Sequence, residues 1–301
     1  MQITNKAGLP QPIVEAVRLD DYDPGDCDIS VSALIGPPQI RQLRIAHEDE
    51  ITEDAVERIW ALLGKAVHVI LERAAVDGTT EERLFADMNG YTVSGQMDHI
   101  GYAYPRLTDY KVTSAWTHIH GPREDWINQL NCYAWLCRQN DIEVEELQIV
   151  AVYRDWSATQ AKRSASYPQV QVGRVEIPTW DPDLAARYVS ERLALHFEVE
   201  CPPCTDEERW AKEEQWAVMR EGRKSALRVL NSHAEAVQWS ISKGVLDTDK
   251  DPWNWMGGHY LQERPREYVR CEGYCSVAPF CPQWQQDLDL RSQLESSEEE
   301  G

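Results

Sequence analysis

Val93-Ser94-Gly95-Gln96-Met97-Asp98-His99-Ile100, followed by Leu107-Thr108-Asp109-Tyr110-Lys111-Val112-Thr113, decides how this chain is read. The first run alternates enough for a β-strand and the second reads as another. Gly101 to Arg106 between them carries turn residues, so the pair is expected to form an antiparallel hairpin. Successive strand side chains point to opposite faces, which puts Asp109 and Lys111 on one side and Tyr110 and Val112 on the other. A register that sets Asp98 opposite Asp109 brings two carboxylates and an ammonium into one patch. Carboxylates so close repel each other unless a cation lies between them, and Mg²⁺ or Mn²⁺ is the hard, oxygen-seeking ion for such a place. That ion polarises a phosphate oxygen and lowers the pKa of a bound water. Lys111 is left to orient the nucleophile or to stabilise the charge that builds on the phosphorus oxygens. Taken alone, Asp-x-Lys is short enough to arise by chance in an acidic chain, and it reads more readily as an exposed charge pair.

The surrounding residues change that balance. Ile51 to Ala75 has a helical pattern with Ile59, Leu63, Val67 and Ile70 on one face, and it carries Gly64 and His68. A second helical pattern, from about Arg123 to Arg138, carries Gln129 and Tyr133, four residues apart and so neighbours on the helix surface. In chain order these are Gly-x-x-x-His at 64–68, Gly-x-x-Asp at 95–98, Asp-Tyr-Lys at 109–111 and Gln-x-x-x-Tyr at 129–133. Together they resemble the RecB-like branch of the PD-(D/E)XK nuclease superfamily, and Ile29 to Leu34 is similar to the opening segment of those nucleases. The resemblance spans roughly residues 29 to 155.

It implies an α/β fold with a PD-(D/E)XK restriction-endonuclease-like core, a central mixed sheet flanked by helices. It implies that His68, Asp98, Asp109 and the backbone carbonyl of Val112 bind Mg²⁺ or Mn²⁺, and that Lys111 positions the attacking water. Gln129 and Tyr133 would support Lys111 and approach the DNA backbone. An upstream glutamate often assists in such sites, and Glu81 and Glu82 are both candidates. Gly64 would permit close helix approach. The reaction implied is phosphodiester hydrolysis at DNA ends by an exonuclease of recombination, repair or phage DNA processing. A structure-specific or nicking endonuclease is the alternative, and a non-catalytic DNA-end-binding module a third.

The 301 residues suit one elaborated domain or a core with an accessory part: a nuclease core over 1–200, a hairpin and helix module over 201–270, and a cysteine-rich end over 271–301. In the middle part, Trp216 to Met219 and Ala226 to Leu230 flank a charged turn, with a short helix from Ser232. Tyr260 to Arg264 reads as the last strand. No run of about eighteen apolar residues spans a membrane, and the N-terminal residues lack a signal peptide's apolar centre. A cytoplasmic protein is expected, in the host cytoplasm if the gene is a phage's. The net charge of −21 sits awkwardly with a DNA enzyme, whose phosphate contacts come from Lys and Arg. Part of the excess lies in Glu295 to Glu300, which reads as a solvated, disordered end, while positive charge gathers at Lys162-Arg163 and over Arg220 to Arg228. With no Gly-x-x-x-x-Gly-Lys-[Ser/Thr] loop the chain has no helicase of its own. It would act alone, as an oligomeric ring, or beside a helicase or single-strand annealing protein.

Eight cysteines fall at 27, 132, 137, 201, 204, 271, 275 and 281. In a reducing compartment, spaced cysteines point to metal before disulfides. Some RecB-like nucleases close the nuclease domain with a [4Fe–4S] cluster held by three closely spaced C-terminal cysteines and one distant one, and the resemblance implies Cys204, Cys271, Cys275 and Cys281 for that role. The spacing here departs from the family's, since five residues rather than two separate Cys275 from Cys281. A tetrahedral zinc site using Cys201-Pro-Pro-Cys204 with two later cysteines is the alternative. Cys132 and Cys137 on the Gln-Tyr helix read as buried thiols.

Overall fold

Asn89 and Gly90 both take positive φ, 55° and 83°, and close a two-residue turn of the kind that matches strand twist. The turn joins two long strands, one of them absent from the expectations above, and around this hairpin the first part of the fold is built. The structure is a computed structural model that describes residues 2–19, 23–74, 77–197, 200–250 and 253–299. The chain divides into two units, Met1–Pro202 and Pro203–Gly301.

In the first unit the elements run β1 (Gln2–Thr4), α1 (Gln11–Arg18), β2 (Ile29–Ser30), α2 (Val31–Leu34), α3 (Pro38–Ala46), β3 (Thr52–Asp54) and α4 (Ile59–Arg73). There follow β4 (Thr79–Met88), β5 (Tyr91–Gly101), β6 (Arg106–Thr113), α5 (Trp116–His120), α6 (Glu124–Gln139), β7 (Glu146–Tyr153), α7 (Ala158–Arg163), β8 (Val172–Ile177) and α8 (Pro182–Phe197). Six strands form a mixed sheet in the order β2-β5-β6-β7-β8, with β4 lying along β5. The pairs β2–β5 and β6–β7 are parallel, and the others are antiparallel. Helix α6 packs on β4 to β7 and α4 packs on β5 and β6. The expected central mixed sheet flanked by helices is therefore present.

Strands β5 and β6 pair through only three positions, His99↔Thr108, Ile100↔Leu107 and Gly101↔Arg106. At its other end the same edge of β5 is taken by β2, at Ile29↔Val93 and Ser30↔Ser94. Between these two pairings residues 95–98 have no ladder partner on that edge. Helix α6 fits there because Gly95 has no side chain. A Cβ at Gly95 would sit 2.7 Å from Leu136 Cδ1 and 2.8 Å from the Tyr133 ring. Trp126, Leu130, Cys132, Tyr133, Trp135, Leu136 and Cys137 of α6 are all buried, and burial pushes the Cys132 and Cys137 thiols up to about 12.

The expected helix over 51–75 is shorter. Thr52–Asp54 pairs with Gln2–Thr4, Asp54 caps a 3₁₀ turn over Ala55–Arg58, and α4 begins only at Ile59. Ala75 lies outside the described residues. Leu63 and Ile70, expected on the packed face of α4, are exposed. A Cβ at Gly64 would meet nothing within 4 Å, so this glycine does not serve a close helix approach.

In the second unit come β9 (Ala211–Lys212), β10 (Gln215–Arg220), β11 (Arg228–Leu230), α9 (His233–Ser242), β12 (Leu246–Asp247), β13 (Asn254–Trp255), β14 (His259–Arg264), β15 (Glu267–Tyr268), α10 (Val269–Gly273) and α11 (Pro282–Glu299). The hairpin at 216–230 is present, and β14 completes a three-stranded sheet in the order β11-β10-β14. Ser232 caps α9 by accepting from Glu235 N. The strand at 259–264 is not the last, since β15 follows and pairs with β9. The acidic end, expected to be disordered, continues α11 to Glu299, while Glu300 lies outside the described residues.

The two motif glycines therefore predict opposite outcomes. Gly95→Ala drives a methyl into Tyr133 and Leu136 and should lower stability by about 1–3 kcal/mol. Gly64→Ala, in an open helix interior, should raise it by about 0.5–1 kcal/mol. Urea unfolding of both variants checks this, and an unaltered Gly95→Ala midpoint would contradict the close α6–β5 contact.

Candidate active site

Three adjacent strands carry one carboxylate each to the same level of the sheet. The register Thr80↔His99 and Glu82↔Met97 sets Glu81 across from Asp98 on β4 and β5. Continuing the β5–β6 register one step past His99↔Thr108 sets Asp98 across from Asp109. The backbones have parted there, and the Asp98 carboxylate takes up a backbone donor that would otherwise be left over: Tyr110 N donates to Asp98 Oδ2 at 2.6 Å. Of the two glutamates left open by the sequence, Glu81 enters the site, whereas Glu82 accepts from Thr79 Oγ1 at 2.6 Å.

Helix α4 brings His68 over this row. Its Nε2 lies 3.0 Å from the Tyr110 carbonyl oxygen, which fixes the ring and turns Nδ1 toward the acids. Nδ1 is 3.4 Å from Asp98 Oδ1 and 3.7 Å from Glu81 Oε1. Ligand atoms of His68, Glu81 and Asp98 all lie within 4.8 Å of one another, the spacing of a cation site. Hydrogen bonding to Asp98 and then Glu81 outweighs burial and pushes the imidazole up to about 10.

Lys111 and Asp109 form the second half of the site. Lys111 Nζ donates to Asp109 Oδ1 at 3.0 Å and to Gln129 Oε1 at 3.1 Å, and lies 2.8 Å from Asp109 Oδ2. An ammonium has three donors, so one N–H remains for a water or a phosphate oxygen. Gln129 Nε2 donates to the Tyr133 hydroxyl at 2.9 Å, so α6 sets the amide orientation that holds the lysine. Burial raises the Asp109 carboxyl and the neighbouring Lys111 pulls it back, leaving it above the ordinary carboxylate range. Asp109 Oδ2 is buried and makes no hydrogen bond, although the ammonium is close by.

These side chains line one cleft of about 1170 Å³. Among the described residues its acids are Asp23, Glu72, Glu81, Asp98 and Asp109, against the cations Lys65, Arg83 and Lys111 and the protonated His68. The backbone carbonyl that meets His68 is that of Tyr110, two residues before Val112. Lys162 and Arg163 close α7 in the first unit, and the basic run 220–228 forms the β10–β11 turn in the second.

In the second unit Cys271, Cys275 and Cys281 all act electrostatically on Cys204. Burial, then Glu208 and the thiols of Cys281, Cys275 and Cys271, push Cys204 up to about 12. Gln283 clamps the Cys204 backbone from both sides: its Oε1 accepts from Cys204 N and its Nε2 donates to Cys204 O, each at 3.0 Å. Arg209, 5% exposed, hydrogen-bonds the Cys271 side chain and pairs with Asp287. No three of the four sulfurs lie within 4.8 Å of one another, since among the described residues only the His68 group is so close. Cys201 belongs to the first unit, and Cys132 and Cys137 are in its core.

No protein-family model and no curated protein matches the chain. Among solved structures, a protein designated SSO0001 is 17% identical, with a TM-score of 0.46, over 66% of this chain and 89% of that one. An alkaline exonuclease, LHK-Exo from Laribacter hongkongensis, is 17% identical with a TM-score of 0.32, over 55% of this chain and 85% of its own. A phage related exonuclease from Haemophilus somnus 129PT is 16% identical with a TM-score of 0.26, over 60% and 77% respectively. Likenesses of this size carry no weight for function.

The raised His68 pKa has a consequence for stability. A folded value of about 10 against an unfolded one near 6.5 gives a contribution that is complete below pH 6.5 and lost as pH rises to about 10. Without added metal, urea unfolding should show stability falling through that window, with the His68→Gln variant showing a flatter profile. Identical slopes for the two proteins would contradict the imidazolium contacts with Asp98 and Glu81.

Proposed function

We propose that this chain is a Mg²⁺- or Mn²⁺-dependent deoxyribonuclease that hydrolyses phosphodiester bonds at DNA ends. The observation that carries the reading is the row Glu81–Asp98–Asp109, with an imidazole at one end and a lysine ammonium at the other. Three carboxylates at one level of a sheet are unfavourable for a purely structural surface, and they are the donor set a hard divalent ion requires. His68, Glu81 and Asp98 would hold the ion, with Asp109 Oδ2 available beside them; the ion supplies Lewis acidity toward a phosphate oxygen. Asp109 and Gln129 keep Lys111 pointed into the cleft. Its remaining N–H orients a water for in-line attack or meets charge developing on the phosphate. Tyr133 holds Gln129, and Gly95 lets Tyr133 come close enough to do so. Because acids outnumber cations in the cleft, DNA should bind weakly until the divalent ion is present.

Cys204, Cys271, Cys275 and Cys281 would hold a [4Fe–4S] cluster, with a zinc site as the alternative. The bound group would be structural, tying the Cys204 loop to α10 and the start of α11. A helicase or annealing protein is the proposed working partner.

Purified protein with Mn²⁺ should digest end-labelled linear DNA and leave covalently closed circles intact. Lys111→Ala and Asp109→Ala should abolish digestion with little loss of fold, and activity in either variant would overturn the assignment. Cutting of closed circles would make the enzyme an endonuclease instead. Cys275→Ser should lose brown colour, iron and solubility together, and an iron-free wild type would remove the cluster.

A further inference from the structure

Glu81 is the unusual member of the carboxylate row. It takes a φ of 51°, rare for a residue with a side chain, inside a strand whose pairing continues on both sides of it. The partners Thr80↔His99 and Glu82↔Met97 keep the same register, so no residue is skipped; Glu81 alone is turned. A conformation of that kind persists only where its surroundings enforce it. Repulsion works against it too, because Asp98 stands directly opposite and a long glutamate side chain is free to swing toward water.

Gln96, one strand over, supplies the restraint. Its Nε2 donates to Glu81 Oε2 at 2.9 Å and approaches the Glu81 carbonyl oxygen at 3.3 Å, so one amide group holds both the side chain and the turned backbone. The orientation of that amide is itself set. Arg83 Nη2 donates to Gln96 Oε1 at 2.6 Å, and a flipped amide would set two donors against each other. Arg83 is anchored in turn, its Nη1 donating to the Pro24 carbonyl at 3.0 Å. With Oε2 tethered, Oε1 is the oxygen left facing His68.

We infer that Gln96 is a positioning residue for the cation site, holding Glu81 in its strained conformation with one oxygen presented to the ion, and that Arg83 fixes the amide's direction. The inference rests on the reading of His68, Glu81 and Asp98 as cation ligands. Residues that orient ligands in this way are worth about ten- to a hundredfold in metal affinity.

The test is Mn²⁺ binding to the full chain, read by the electron paramagnetic resonance signal of free Mn²⁺, with cleavage measured across a Mn²⁺ titration. Gln96→Glu keeps an acceptor for Arg83 and replaces the donor to Glu81 with a second carboxylate; Gln96→Ala removes both bonds. Both variants should bind Mn²⁺ about ten- to a hundredfold more weakly, with the cleavage rate at saturating Mn²⁺ within a few-fold of wild type. If Gln96→Ala lowers the unfolding midpoint, Gln96→Glu carries the test. Wild-type affinity in Gln96→Glu would overturn the proposal, because the bond to Arg83 would then be all that mattered. Asp98→Asn separates the two levels. Loss of Mn²⁺ binding there with none in Gln96→Glu sinks only the role of Gln96. Unchanged binding in Asp98→Asn sinks the cation site and the proposal with it.

Discussion

The early parting of β5 from β6 is the constraint on which the site depends. After three paired positions the two strands separate, and the gap would leave the Tyr110 N–H unpaired in the interior, a cost of about 1–3 kcal/mol for a buried donor. Asp98 removes that cost by accepting the bond with Oδ2, and doing so fixes its other oxygen toward His68. The same residue's carbonyl, in the next peptide, receives the His68 ring. One residue, Tyr110, thus orients an acid from the neighbouring strand and an imidazole from a helix through its own backbone. The Asp-Tyr-Lys tripeptide places Asp109 and Lys111 on either side of it.

The electrostatics follow from this crowding. Without a bound ion the row is balanced by protons and fixed cations: His68 holds its proton to about pH 10, and Lys111 sits against Asp109. That arrangement keeps three carboxylates close at neutral pH, and the proposed divalent ion would have to displace the imidazole proton to use Nδ1. Asp109 Oδ2 is buried and faces the Lys111 ammonium at 2.8 Å.

Much of this was legible in the sequence because it is local. The paired strands at 93–113 and the Gln129–Tyr133 helix come from periodicity within single windows, and Asp98, Asp109, Lys111 and Gln129 line one cleft. What was not legible depends on distant partners. Strand β4 carries charge along its first half, where it lines the cleft, so its alternation shows only from Leu84 onward; the Asn89-Gly90 turn was the available signal. The choice of Glu81 over Glu82 rests on register and a single turned residue, which no periodicity reports. The helix expected from Ile51 starts late because β3 pairs with a strand some fifty residues earlier in the chain. Gly64, expected to permit close helix approach, faces open space, whereas Gly95, known from the sequence only as part of Gly-x-x-Asp, is the position where α6 meets the sheet.

The most direct measurement is anomalous scattering from crystals of the full chain soaked in Mn²⁺. The account predicts a peak in the cleft within about 2.2 Å of His68 Nδ1 and of carboxylate oxygens from Glu81 and Asp98. A cleft without manganese, in crystals where His68 Nδ1 still faces Asp98 and manganese is bound elsewhere, would contradict it.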